Sequence, residues 1–293
     1  MAVAERDPHT GHMTTGHEWN GIKELNTPVP RAVYVFLAAT VLVSVVCWLL
    51  LPAWPLGVTY TKGLLGIDQR TSVEASLRRA QAERAPWSER IAAASFQEIQ
   101  ADPALMQTVR ETGRALFGDN CAVCHGVDGR GGPGFPNLTD TAWLWGGEPE
   151  AVAETVRVGI NSGHDEARVA QMPAFGRDQM LERSDIAKVV TYVQSLSDPA
   201  VATATNAEDI GAGREIFAEN CANCHGEEAK GGTAFGAPNL TDDFWIYGGD
   251  RQSIWTTVYY GRQGHMPHWE QRLGPTERKI LTLYVLDLGA GQE

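Results

Sequence analysis

The chain has 293 residues, room for about two domains at ~150 residues each, and it is 43% hydrophobic and 20% charged. Its net charge is −12, and because residues 1–110 balance ten acidic against ten basic side chains, the whole excess lies in residues 111–293, with 26 acidic against 14 basic. That placement argues against nucleic acid as a partner and fits a basic protein partner, although a merely solubilising acidic surface would carry the same charge.

Residues 1–31 are polar, lack apolar periodicity and include His9, His12, Met13 and His17, which predicts a tail disordered up to about Gly16. Residues 18–26 are more structured in character, and Pro28-Val29-Pro30 breaks the chain after them. Residues 32–51 are twenty uncharged residues, the length one helix needs to cross a ~30 Å hydrocarbon core. Thirty-one polar residues precede this run and no small-residue cleavage pattern follows it, so it reads as an uncleaved span and not as a signal peptide. Trp48 and Trp54, with Pro52 and Pro55, suit a helix end at the membrane interface, and Cys47 reads as a small apolar filler. Residues 52–110 form a predicted helical connector, helical over 72–110, with a break at Pro86, a further helical stretch over 87–100 and then Asp102 as N-cap with Pro103 behind it. Its apolar stripe is thin (Ile91, Ala94, Ser95, Glu98, Ile99) and should pack on a partner or on the first of the domains that follow.

Two pentads carry the chemistry: Cys121-Ala122-Val123-Cys124-His125 and Cys221-Ala222-Asn223-Cys224-His225. Two thiols three positions apart can both reach the vinyl groups on one edge of a porphyrin, and the His that follows sits beneath the iron. Each pentad therefore reads as a covalent haem c site, with His125 and His225 as proximal iron ligands. A thioredoxin-type pair would need a βαβ setting and no adjacent His. A zinc site would need two further soft ligands nearby, and two local disulfides would be strained.

The surroundings of the pentads repeat as well. Residues 113–117 align with 213–217, Pro136-Asn137-Leu138-Thr139 with Pro238-Asn239-Leu240-Thr241, and Gly146-Gly147 with Gly248-Gly249. Residues 156–159 align with 258–261, and Met172-Pro173 with Met266-Pro267, each Met-Pro followed by a helical tail. The chain is thus a tandem duplication, with domains at 111–198 and 209–293 and a small-residue linker at 199–208. His125 to Met172 spans 47 residues and His225 to Met266 spans 41, so the two distal coverings must differ. Trp143, Trp145, Trp245, Trp255 and Trp269 are candidates to pack on porphyrin edges.

The order helix, Cys-x-x-Cys-His, Gly/Pro-rich loop, helix, Met-Pro, helix resembles the class I cytochrome c fold in both halves. The fold class expected is mainly α, one N-terminal transmembrane helix followed by two tandem class I cytochrome c-like domains. The resemblance implies that Met172 and Met266 are the distal iron ligands, each expected to serve the pentad of its own repeat. It also implies that the Pro136 and Pro238 carbonyls hold the second ring nitrogens of His125 and His225. His164, His265 and His268 are competing distal ligands, set aside because they do not recur at one place in both repeats.

Taken with the stretch Glu24-Leu25-Asn26-Thr27-Pro28-Val29-Pro30-Arg31 before the span, the whole order of parts resembles subunit III of cbb3-type cytochrome c oxidases. That resemblance implies two covalently bound haems c and a membrane complex with a haem-copper catalytic subunit and a mono-haem cytochrome c subunit. This chain would accept electrons from a soluble basic cytochrome c and pass them on for dioxygen reduction, with no catalysis of its own. Charge fixes the orientation poorly, since Lys23 and Arg31 face Lys62 and Arg70 across the span. Thioether attachment takes place outside the cytoplasm in bacteria, which puts the haem domains in the periplasm and the N-terminus in the cytoplasm. The alternatives are a cytochrome subunit of another respiratory dehydrogenase or reductase, and a di-haem peroxidase or gas sensor, which would need an open sixth position on the iron.

Overall fold

Asn-Gly is the dipeptide that a two-residue hairpin turn favours, because both central residues take positive φ. In the computed structural model, which describes residues 4–290, Asn20 and Gly21 lie at φ 50° and 85°. They join β1 (Thr14–Trp19) to β2 (Ile22–Leu25), an antiparallel pair with Trp19 opposite Ile22. Thr14 is buried, and its hydroxyl accepts the Glu5 N–H at 3.0 Å. Among the described residues the expected disorder up to Gly16 is therefore corrected, since a turn signal and a few local bonds order a stretch that has no apolar periodicity; residues 1–3 lie outside the described residues.

Helix α1 (Arg31–Leu50) has a mean hydropathy of 2.5 and no buried residue, and among the described residues it is the one helix long and apolar enough to cross a membrane. At its end the Trp48 and Trp54 rings meet edge to face at 4.9 Å. The chain divides into two units, one ending at Glu83 and the other beginning at Arg84, and α2 (Gln69–Ala93) runs from the first into the second. Pro86 lies inside α2, so the expected break there is corrected. Proline removes one ladder hydrogen bond, and the residues around Ala82 are exposed, so the carbonyl left over can turn to water. The helix ends later, before Ser95, which caps α3 (Phe96–Ala101) in a reciprocal capping box with Glu98. Asp102 then caps α4 (Pro103–Asn120), accepting from the Ala104 and Leu105 N–H groups, with Pro103 at the first helical position.

The second unit continues with α5 (Ala122–His125), α6 (Pro149–Val158), α7 (Arg183–Ser197), α8 (Ala207–Asn220), α9 (Ala222–His225), α10 (Arg251–Tyr260) and α11 (Pro275–Ala290). In sequence α4 to α7 form one repeat and α8 to α11 the other. In space the last helix of each repeat packs on the other repeat: α7 lies against α8 and α10, and α11 lies against α4 and α6. One apolar core joins Ile186, Val189, Val190 and Val193 of α7 to Phe217 of α8 and to Ile254 and Val258 of α10. Its counterpart joins Leu281 and Val285 of α11 to Phe117 of α4. Arg110 of α4 forks onto Asp287 of α11 at 2.8 and 2.9 Å.

A third core holds the connector in place. Ile91 and Ile99, both fully buried, pack with Leu105, Met106 and Val109 of α4 and Ile280 and Leu283 of α11. Lys279 donates to the Ile91, Ala92 and Ala94 carbonyls at 3.1, 3.0 and 2.7 Å, covering the C-terminal end of α2, where a cation is favoured. The thin stripe seen in the sequence is thus buried against one helix of each repeat, α4 and α11.

Candidate functional site

Each pentad begins where a long helix ends. Cys121 closes α4 with its N–H on the Phe117 carbonyl, and Cys221 closes α8 with its N–H on the Phe217 carbonyl. The turn that follows holds the cysteines unequally: Cys121 and Cys221 are partly buried, whereas Cys124 and Cys224 are exposed. Burial pushes the thiols of Cys121 and Cys221 up to about 11. His125 Nδ1 donates to the Pro136 carbonyl at 3.1 Å, and His225 Nδ1 donates to the Pro238 carbonyl at 3.1 Å. That bond selects the tautomer whose Nε2 keeps a free lone pair for a metal. Burial also pushes both imidazoles below the usual histidine range, which the proline bonds oppose in part, and this favours the neutral ring that ligation requires.

The methionines are exchanged between the repeats. Met266 packs with Cys121, Phe117, Leu138, Trp143 and Trp269, and Met172 packs with Cys221, Phe217, Leu240, Trp245 and Trp255. The expectation that each pentad keeps the methionine of its own repeat is corrected. Backbone pairing fixes the exchange. Ile160 and Met266 trade N–H···O bonds of 2.9 and 2.9 Å, and Arg262 and Met172 trade bonds of 2.8 and 3.1 Å. Gly159 (φ 71°) and Gly261 (φ 69°) end α6 and α10, and a Cβ at either would run into the carbonyl of Met266 or Met172. Glycine meets two needs there at once, a left-handed backbone and a close approach.

The competing histidines sit elsewhere. His164 donates Nε2–H to Glu270 at 2.8 Å and accepts the Glu166 N–H on Nδ1 at 3.0 Å, so both ring nitrogens are occupied. His265 is exposed, and His268 lies edge-on to His164 at 5.5 Å. Of the tryptophans, Trp143, Trp245, Trp255 and Trp269 join the two cores, while Trp145 sits against Gly236 of the other repeat.

A cavity of about 930 Å3 runs between the repeats, lined by matching residues of each: Pro136, Asn137 and Trp143 from one, Pro238, Asn239 and Trp245 from the other. Around each pentad a thiol pair, a tautomer-fixed imidazole and the thioether in the apolar core beside it suit a haem c in each repeat. The equivalence of Met172 and Met266 in sequence hid the exchange. The linker of residues 198–206, which brings α8 back alongside α7, was the signal that could have shown it.

Comparison with known proteins follows these parts along the chain. The family model of cytochrome c matches residues 110–197, that of cbb3-type cytochrome c oxidase subunit III matches residues 208–285, and that of the N-terminal domain of cytochrome oxidase-cbb3, FixP, matches residues 11–58. Similar full-length proteins include the cbb3-type cytochrome c oxidase subunit FixP of Bradyrhizobium sp. (strain ORS 278), 44% identical over 289 residues and 99% of both chains. The FixP subunit of Azorhizobium caulinodans is 45% identical over 282 residues, 96% of this chain and 94% of its own. The CcoP subunit of Azospirillum brasilense is 40% identical over 300 residues, all of both chains.

Proposed function

The chain belongs to the FixP/CcoP family of cbb3-type cytochrome c oxidase subunits, and from that premise we propose that it is the two-haem relay between a soluble basic cytochrome c and the other oxidase subunits. One observation supports the reading: each repeat carries a thiol pair and a proline-held imidazole, and a methionine joins the apolar core around each first cysteine. Haem c bound there would supply a one-electron couple without an open coordination site.

In this reading His125 and Met266 would hold the iron of a haem attached through Cys121 and Cys124, and His225 and Met172 that of a haem attached through Cys221 and Cys224. A thioether ligand favours ferrous iron and raises the potential, and two protein ligands leave no position for dioxygen. The chain's own residues therefore position and insulate, and they transfer no proton. Residues 32–51 anchor it in the bacterial inner membrane, with the N-terminus cytoplasmic and the haem domains periplasmic. Its partners there are a haem-copper catalytic subunit and a mono-haem cytochrome c subunit. The acidic excess in residues 111–293, including Glu215, Glu219, Glu227 and Glu228 near the second pentad in sequence, would steer a basic donor toward it.

The test is oxygen consumption by the purified complex, with a basic soluble cytochrome c as donor, against ionic strength. Steering predicts a fall of at least about tenfold in kcat/KM as screening shortens the reach of the charges. A flat profile sinks the donor assignment. A preparation with haem c but neither haem b nor copper sinks the assembly.

A further inference from the structure

Where α1 ends, the chain folds back on it. Residues 53–61 make a tight hairpin: the Thr61 N–H donates to the Trp54 carbonyl at 2.9 Å, Thr61 Oγ1 accepts the Trp54 N–H at 3.0 Å, and Pro55 pairs with Tyr60. The chain then returns to the helix it has just left. Leu64 N–H donates to the Leu49 carbonyl at 2.9 Å, and Leu65 N–H donates to the Leu50 carbonyl at 3.1 Å. Gly63 (φ 70°) allows this approach, since a Cβ there would run into the Leu50 carbonyl. These bonds fix a depth. At ~1.5 Å per residue the twenty residues of α1 match a ~30 Å hydrocarbon core, so Leu49 and Leu50 lie at its edge and Leu64 and Leu65 lie level with them.

The make-up of this stretch is the reverse of a water-facing loop. Lys62 is the one charged residue in 52–67, while Leu56, Val58, Leu64, Leu65 and Ile67 are exposed, Leu64 at 82%. Apolar side chains exposed together mark a contact surface. The backbone, by contrast, is satisfied from within: the Cys47, Leu49 and Leu50 carbonyls at the end of α1 accept the Leu51, Leu64 and Leu65 N–H groups. Apolar side chains outward and polar backbone bonded inward is the condition that hydrocarbon imposes on a chain. The rim is aromatic. The Trp48 and Trp54 rings meet there, and Tyr60 donates its hydroxyl to Asp68 Oδ1 at 3.0 Å, a ring with an apolar body and a polar tip of the kind that headgroup level favours. An apolar crevice of about 430 Å3, lined by Val45, Trp48, Leu49, Trp54 and Leu64, opens at the same level. Asp68 ends the patch by accepting the Arg70 N–H at 2.9 Å, where α2 begins with polar residues.

We propose that residues 53–67 are a second membrane-contacting element, a hairpin seated in the phospholipid leaflet on the side where α1 ends. Leu56, Val58, Leu64 and Leu65 lie among the acyl chains, one acyl chain fills the crevice beside Trp48, and Lys62 extends its ammonium to the headgroups. Lipid is favoured over a helix of another subunit because the patch continues the apolar surface of α1 without a break and is rimmed by interface aromatics. The proposal rests on reading α1 as a span.

The experiment uses the oxidase in phospholipid vesicles, in a Cys47→Ser background, with a nitroxide placed on Val58→Cys or Leu64→Cys. Its collisions with dissolved oxygen, which concentrates in hydrocarbon, are compared with its collisions with a water-soluble nickel chelate. Both labels are expected to meet oxygen several-fold more often than the chelate, and a label on Glu74→Cys in α2 the reverse. Labels at 58 and 64 that behave like the one at 74 overturn the proposal. Labels shielded from both reagents also overturn it, because another subunit would then cover the hairpin. A label on Leu42→Cys within α1 reports on the span itself, and if it meets the chelate freely the reading of α1 fails instead. Where a labelled variant does not assemble, the unaltered oxidase is treated with a lipid-borne carbene reagent. Adducts on residues 53–67 support the hairpin, and adducts on α1 alone overturn it.

Discussion

The two crevices share a plan and differ at their rims. Both put a buried phenylalanine behind the first cysteine, a proline carbonyl behind the histidine and a borrowed methionine opposite. Beside the exposed cysteine, however, the first carries Val123 at 92% and Val127 at 79% exposure, where the second carries exposed Asn223 and Glu227. The interior is fixed by what a haem requires, while the rim answers to whatever approaches from outside. An apolar rim suits a contact kept dry, and an acidic rim suits brief encounters with a basic partner.

Because the repeats exchange their last helices, damage in one should appear at the other's pentad. The largest expected effect comes from ending the chain before Pro275, which removes α11 from α4 and α6. The first pentad should lose a stable haem environment although its own repeat is intact, while the second keeps its spectrum; loss at the second pentad alone would break the comparison. Next in size, Phe117→Ala and Phe217→Ala should each cost about 3–5 kcal/mol, since both rings are almost fully buried. Denaturant melts should show one transition shared by both haems, and two separable transitions would show that the exchange does not couple them. Smaller still, Gly213→Ala sets a methyl against the Lys188 backbone carbonyl and Gly113→Ala sets one 2.6 Å from Tyr284 Cβ. About 1–3 kcal/mol of overpacking is expected, partly offset by alanine's better helix propensity, with Gly213→Ala the worse because backbone yields less than a side chain.

Much of this was legible in the sequence where the chemistry is local. The pentads, the uncharged run, the Asp102 cap and the repeat itself follow from spacing and residue type over a few positions. The Asn20-Gly21 hairpin was also written there, hidden by a polar composition that favoured disorder. Pro86 misled because an exposed helix tolerates a lost bond that a buried one would not. The exchange of Met172 and Met266 was not legible from the motifs, since both Met-Pro pairs follow the same pattern whichever crevice they enter.

An electron-density map of the haem-loaded protein at the two irons tests the crossed ligand set. Met266 Sδ is expected on the iron held by His125, and Met172 Sδ on the iron held by His225. Met172 on the His125 iron, or a histidine in place of either methionine, would contradict it.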